Sequence, residues 1–361
     1  MFVRLVHGTL EYQYRIDYTL NSFSKLKVNK MKPYIRNLLR MSVFQLLFTD
    51  KIPDSAICDE AVKLIKKTAY RNLSGFVNGI LRNIARNRDN LNIPNDAVRY
   101  SVQEWLLKLL SETVGADKAI GFLDYSLDEH GVSIRRCGTD EVSVITDIGR
   151  LTETEDWKNG MITVQDFSSA QPVKLAGIKS GDTVIDVCAS PGGKSIQASE
   201  KTGPDGKVYA CDLTEKKLER IKDNIERLKR ENIVPLVQDA TVRNEEFVNL
   251  ADVVLADCPC SGIGTVSKKP EIKNRLKPED CIALAEIQRN ILDNVCDYVK
   301  AGGKLVYSTC TLDHYENEDN LRYFLNGHPE FSLETEKIMV PQKNQEIPFD
   351  GFYIAVLKKN G

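Results

Sequence analysis

No run of about 20 consecutive apolar residues occurs in this 361-residue chain, so no segment is expected to span a bilayer as a helix. The opening Met1-Phe2-Val3-Arg4-Leu5 lacks the apolar core of a secretory signal, because Arg4 and His7 interrupt it. Histidine is scarce, with four scattered residues, and no two of the nine cysteines stand in Cys-x-x-Cys spacing, which removes the usual patterns of a zinc site. The cysteines also lack the even spacing of a disulfide framework, and a reduced, cytoplasmic protein is the simplest account. An excess of one charge is missing as well. A net charge of −2 excludes a broadly basic nucleic-acid protein, so any contact with RNA has to come from local patches. What remains is a hydrophobic fraction of 42% and a charged fraction of 28%, ordinary for globular protein, in a length that accommodates two or three domains.

The first hundred residues carry helical periodicity. Between Lys32 and Phe48 the apolar positions Ile35, Leu38, Leu39, Val43, Leu46 and Leu47 recur at helical spacing. Pro53-Asp54 breaks the pattern, and Asp54 or Ser55 is expected to cap a second helix with Ala61, Leu64 and Ile65 on its stripe. A third stripe runs through Phe76, Val77, Ile80, Leu81 and Ile84. Beside it lie Arg82, Arg86 and Arg88, and the plainest account of these is a solvated face. Asn90 to Asp96, with Pro94, has the composition of a linker. Beyond it, Val102–Val114 suggests a helix, and Val132–Ile134 and Val142–Ile145 suggest short strands. No fold follows from that stretch.

From about residue 161 strands alternate with helices. Apolar runs at Thr183–Val187, Lys207–Asp212, Leu236–Asp239, Ala251–Asp257 and Lys304–Ser308 are separated by helical patterns, clearest in Thr214–Arg230 and Asp280–Lys300. Such alternation implies a doubly wound parallel sheet, in which ligands sit at the carboxyl ends of the strands. The first strand runs into Cys188-Ala189-Ser190-Pro191-Gly192-Gly193-Lys194. Two glycines there permit a tight turn and close approach to a ligand, although many structural turns carry glycine too. The pattern matches neither a dinucleotide fingerprint nor a P-loop. Asp212 ends the second strand about 20 residues further on, where an acid can bind ribose hydroxyls, and Asp239 ends the third. Either can instead be a helix cap.

The fourth strand ends in Asp257-Cys258-Pro259-Cys260-Ser261-Gly262 and the fifth in Ser308-Thr309-Cys310-Thr311. Parallel pairing would bring Cys258, Cys260 and Cys310 to the edge that carries the glycine loop. Cys188, Cys211, Cys281 and Cys296 need no role beyond burial. Carbon 5 of cytosine is a poor nucleophile unless a thiolate first adds at carbon 6. Such chemistry needs an activated cysteine, a carboxyl group at cytosine N3 and an unstacked base. Asp257 suits the carboxyl role and Lys194 supplies local positive charge. Between Cys260 and Cys310, sequence chemistry alone does not choose.

Asp186-Val187-Cys188-Ala189-Ser190-Pro191-Gly192-Gly193-Lys194, Asp257-Cys258-Pro259-Cys260-Ser261-Gly262-Ile263-Gly264 and Tyr307-Ser308-Thr309-Cys310-Thr311 resemble the signatures of RNA 5-methylcytosine methyltransferases. The resemblance implies that Cys310 is the nucleophile and that Cys260 assists product release. It implies S-adenosyl-L-methionine along Cys188, Ala189, Ser190, Pro191, Gly192, Gly193 and Lys194, and at Asp212, Asp239 and Asp257. Leu38–Leu47 and Phe76–Arg82 are similar to the NusB-like helical domain fused ahead of some bacterial 16S ribosomal RNA enzymes of this family, and Asp350–Ala355 to the family's last strands. The expected fold class is therefore α/β: a Rossmann-like S-adenosylmethionine-dependent methyltransferase domain at 161–361, preceded by an all-α NusB-like RNA-binding domain at 1–100. Residues 101–160 are expected to form a linker or small α+β RNA-binding subdomain.

Two departures from the family pattern stand out. The chain is expected to begin inside the NusB-like domain, without its first helix or two. Between Leu123 and Val132 it is expected to lack a strand carrying an Arg-Val-Asn-like sequence. Both bear on RNA affinity more than on chemistry. The implied partner is 16S ribosomal RNA, free or in early assembly, acted on by a monomer without membrane or metal. Transfer RNA as substrate, and an RNA-binding assembly protein without activity, are the alternatives.

Overall fold

The computed structural model describes residues 2–146 and 148–361. It divides into two compact units, Met1–Lys108 with Lys269–Arg275, and Leu109–Lys268 with Leu276–Gly361.

The first unit is helical: α1 (Phe2–Glu11), α2 (Gln13–Phe23), α3 (Pro33–Phe48), α4 (Asp54–Lys66) and α5 (Ser74–Asn87). The stripes expected from sequence meet in one core, where Ile35, Leu39 and Val43 pack with Ile57, Ala61 and Ile65 and with Val77, Leu81 and Ile84. Leu64 was expected on that stripe but is 44% exposed. Helix α4 also starts differently from expectation. Pro53 occupies the N-cap and makes no side-chain bond, and Asp54 lies inside the first turn. Asp54 instead pairs with Arg88 at 3.2 Å, and Asp59 pairs with Arg82 at 3.1 Å. The arginine row is thus a solvated face on which Arg82 and Arg88 are ion-paired. In the expected linker, Asn95 accepts from the Val98 N–H at 3.0 Å and caps a short helix.

The second unit holds two sheets. The smaller contains β1 (Val132–Arg136), β2 (Val142–Ile145) and β3 (Ile162–Val164) in the antiparallel order β2-β1-β3. Ser126 to Gly131, leading into it, contains no strand. Arg135 of β1 is fully buried, donating to Gln165 Oε1 at 2.6 Å and pairing with Glu200 at 2.7 Å, which pins this sheet to the helix Gly193–Thr202.

The larger sheet comprises β4 (Thr183–Asp186), β5 (Lys207–Asp212), β6 (Ile233–Val237), β7 (Ala251–Asp257), β8 (Val299–Thr309), β9 (Phe331–Met339) and β10 (Phe352–Lys359). Its order is β6-β5-β4-β7-β8-β10-β9. The first five in that order run parallel, and β10 is antiparallel to both of its neighbours. From β4 the chain winds outward to β5 and β6, then returns to β7 on the other side. That reversal opens a crevice at the carboxyl ends of β4 and β7. The third expected strand lies earlier than read, so Asp239 falls in the loop two residues past β6. Pro235 inside β6 hid the strand's true start, because proline weakens a strand signal. Among the described residues no helix is long and apolar enough to cross a membrane.

Candidate active site

The loop from Cys188 to Gly193 leaves β4 and opens the helix Gly193–Thr202. Gly192 has φ of +104°, a conformation that only glycine adopts without strain. The Ser190–Pro191 peptide is cis. Ala189 N–H donates to Cys211 O at 2.8 Å, holding the loop against the end of β5. Asp212 completes that contact. Its carboxylate accepts from Ser190 N–H at 2.9 Å and Leu213 N–H at 2.8 Å, and Lys217 lies 2.9 Å away. The cap position of the next helix belongs to Thr214, so Asp212 faces the loop and does not cap that helix.

Asp239 is engaged locally, with one oxygen accepting from Thr241 N–H at 2.9 Å and Thr241 O–H at 2.7 Å. Asp186, fully buried at the end of β4, accepts from Ser195 O–H at 2.6 Å, and its other oxygen has no hydrogen-bond partner among the described residues. Burial, opposed by the Ser195 bond, pushes this carboxyl up to about 7. A glycine turn with an acid across from it has the acceptors that the hydroxyl donors of a nucleoside-bearing cofactor need, and Asp186, at 0% exposure, lies beneath that surface.

The other half of the crevice is built by β7 and β8, which set Asp257 opposite Ser308. Cys258 N–H donates to Ser308 O at 2.9 Å, and Gly264 N–H donates to Cys310 O at 3.1 Å. These bonds clamp the loop after β7 onto the end of β8, and they leave the sulfurs of Cys260 and Cys310 3.3 Å apart. Cys258, expected near that pair, is buried away from it beside Cys188; the hydrogen bond to Cys188, then burial, raises its thiol well above the ordinary range. The hydrogen bond to Cys310, together with burial, likewise pushes the Cys260 thiol well up. All nine cysteines are free.

Lys194 reaches across from the glycine loop. Its ammonium donates to Asp257 at 2.7 Å and to the Ser169 hydroxyl oxygen at 2.8 Å, and sits 5.4 Å over the Phe352 ring. The second Asp257 oxygen accepts from Ser308 O–H at 2.8 Å. Lys194 and Asp257 therefore form one fixed pair where the two halves meet.

Sequence reasoning missed the support beneath the cysteines. Ser261 N–H donates to both oxygens of buried Glu316, at 3.0 and 3.3 Å, and Gln288 donates to the same carboxylate at 2.8 Å. Gln288 also donates to Pro259 O at 2.8 Å and accepts from Tyr307 O–H at 3.0 Å. Burial raises Glu316 to about 7. No spacing rule points to Glu316 or Gln288. An acid six residues past Cys310, among asparagines, is indistinguishable in sequence from a surface loop.

The sequence matches the 16S rRNA methyltransferase RsmB/F family over residues 174–358, just over half of the chain. The chain belongs to that family. Residues 1–86 also match the NusB family. The probable ribosomal RNA small subunit methyltransferase B of Bacillus subtilis (strain 168) is 35% identical over 100% of this chain and 90% of its own length. The ribosomal RNA small subunit methyltransferase B of Vibrio cholerae serotype O1 is 30% identical, over 89% of this chain and 80% of its own. Among solved structures, PH0851 superposes with a TM-score of 0.78 at 27% identity, covering 99% of this chain and 89% of that one. NSun6 from Pyrococcus horikoshii with SFG gives a TM-score of 0.52 at 27% identity, over 58% and 56% of the two chains. The expected fold class holds: this RsmB/F member is a Rossmann-like S-adenosylmethionine-dependent methyltransferase domain preceded by an all-α NusB-like domain.

Proposed function

We propose that this RsmB/F member methylates carbon 5 of a cytidine in 16S ribosomal RNA through a covalent bond between Cys310 and carbon 6 of the base. The observation that carries the reading is the pair of cysteines, 3.3 Å apart at the ends of neighbouring parallel strands, beside the Lys194–Asp257 pair. Cys188 to Lys194, Asp212, Asp239 and Asp257 would hold S-adenosylmethionine, which would supply the methyl group. Asp257 and cytosine N3 share one proton, which settles on N3 as the thiolate adds and returns to Asp257 on release, and Lys194 holds Asp257 in place while bringing positive charge to the crevice. The Cys310 thiolate adds to carbon 6, which makes carbon 5 nucleophilic. After methylation a base takes the carbon 5 proton, the carbon 6–sulfur bond breaks, and its electron pair returns to Cys310. Cys260, held as a thiol against that sulfur, assists the release. Residues 1–100 and 101–160 bind RNA, residues 161–361 carry the chemistry, and the enzyme acts as a monomer on free or early-assembly RNA.

The test is transfer of labelled methyl from S-adenosylmethionine to unmethylated 16S RNA, with nucleoside analysis of the product. Label in 5-methylcytidine is expected with the native enzyme and none with Cys310→Ala. Label in another nucleoside overturns the reaction. Label in transfer RNA alone overturns the substrate.

A further inference from the structure

The chain carries a net charge of −2, yet its basic residues are unevenly placed. Residues 18–49 contain six lysines and arginines and residues 61–88 contain seven, and neither stretch contains a single acid. The first unit brings parts of both stretches to one end of its helical bundle. Some of these cations are neutralised: Arg40 pairs with Asp17, Lys63 with Glu60, Arg82 with Asp59 and Arg88 with Asp54. Lys25, Lys27, Lys30, Lys32, Lys66 and Arg71 are exposed, and none of them forms an ion pair among the described residues.

The loop that carries the first four lysines is fixed. Asn21 accepts from Val28 N–H at 2.9 Å, and Ser24 O–H donates to Leu26 O at 2.8 Å. Val28 and Met31 are buried in the core, which turns Lys27, Lys30 and Lys32 outward between them. Lys32 then leads into the N-terminus of α3, whose unpaired N–H groups add further positive potential. Tyr34, in the first turn of α3, stacks on Tyr70 with ring centroids 6.2 Å apart. That contact brings Arg71 and the Lys66 end of α4 alongside the lysine loop. Tyr34 is itself 41% exposed, offering an aromatic surface inside a field of unpaired cations.

From this juxtaposition we infer that the lysine loop and the α3–α4 end form an RNA-binding face, with phosphates on the lysines and an unpaired base on Tyr34. Unpaired cations interleaved with an accessible ring suit a polyanion that also has flat bases. Arg82 and Arg88, paired with Asp59 and Asp54, do not. The inference rests on the ribosomal RNA reading above for the identity of the partner, and its test reads binding alone, so loss of methyl transfer and loss of this face are separable.

The full-length protein and a Lys27→Glu/Lys30→Glu/Lys32→Glu variant would be titrated with unmodified 16S transcript by filter binding across a salt series. Three lost phosphate contacts, at about 0.7 each for single strands, should make the slope of log affinity against log salt shallower by about 2. Affinity near 0.1 M salt should fall at least about tenfold, with circular dichroism and S-adenosylmethionine binding unchanged. Tyr34→Ala should weaken binding about tenfold at unchanged slope, and Arg82→Glu should leave both readings as in the native protein. Native affinity and slope in the triple-lysine variant would overturn the proposal. So would retention of RNA binding together with loss of binding to phosphatidylglycerol vesicles, which would assign the face to a membrane.

Discussion

The proposed division of labour between Cys260 and Cys310 turns on a single contact. Cys260 and Cys310 lie 3.3 Å apart, and that hydrogen bond with burial raises Cys260 well above the ordinary thiol range. A thiol held in that way keeps its proton and is a poor first nucleophile. Cys310→Ala should therefore abolish both turnover and any covalent enzyme–RNA adduct. Cys260→Ala should leave addition intact but stall release, leaving an adduct that survives a denaturing gel. The opposite pattern on that gel would exchange the two roles. Both cysteines were visible in sequence as chemistry-bearing residues brought to one sheet edge, whereas the direct contact of their sulfurs was not, because it depends on loops 50 residues apart in the chain.

The element that carries Cys260 is held by close backbone packing. A methyl group at Gly264 would lie 2.0 Å from the carbonyl oxygen of Gly351, and one at Gly351 would lie 2.8 Å from the Gly264 Cα. At these two glycines the loop after β7 and the segment before β10 therefore meet backbone to backbone, joined by the Gly351 N–H to Gly264 O bond at 2.9 Å. Gly264→Ala must push the loop off this support. Overpacking of this kind costs about 1–3 kcal/mol, and the displacement should reach Cys260 four residues earlier. The expected result is a lowered melting temperature by calorimetry together with a larger proportional loss of methyl transfer. Equal transfer rates in Gly264→Ala and native enzyme would show that the loop's position is not critical. Sequence marked this loop by its Asp-Cys-Pro-Cys run, and the parallel strands were legible as apolar runs. β3 and β9 were not, being respectively three residues long and largely exposed along their length.

For the molecule as a whole, two buried carboxyls shape stability against pH. Asp186 and Glu316 are raised from 3.8 and 4.5 to about 7 each, in both cases by burial. Their folded-state values exceed the unfolded ones, so the folded protein holds more protons between those limits. The resulting stabilisation is complete below the unfolded values and is lost as pH rises through about 7, on the order of a few kcal/mol. Asp166 acts in the opposite sense: although burial raises it, Lys268 prevails and draws it below its usual value, so its contribution is lost as pH falls below the ordinary carboxylate range. Thermal unfolding should show a melting temperature that declines from pH 6 to pH 8. Glu316→Gln, neutral at every pH, should flatten that decline, and an unaltered slope in this variant would remove Glu316 as its source.

What sequence by itself determined is local or periodic: the helical stripes of the first unit, the alternation of strands and helices in the second, the glycine turn at Gly192, and the acids and cysteines at strand ends. Each depends on residues within a few positions of one another, or on a motif carried whole in the chain. Only the tertiary structure decided which side chains meet at those strand ends. It placed Cys258 with Cys188 and away from Cys310, engaged Asp239 in its own turn, turned Asp212 to the loop, and set Glu316 and Gln288 beneath Ser261. It also distinguished the ion-paired Arg82 and Arg88 from the lysines before α3, which form no ion pair among the described residues, a difference that composition cannot show. The physical reason is common to all of these. Burial, hydrogen bonding and ion pairing depend on neighbours in space, and in this fold those neighbours come from strands and helices tens of residues apart.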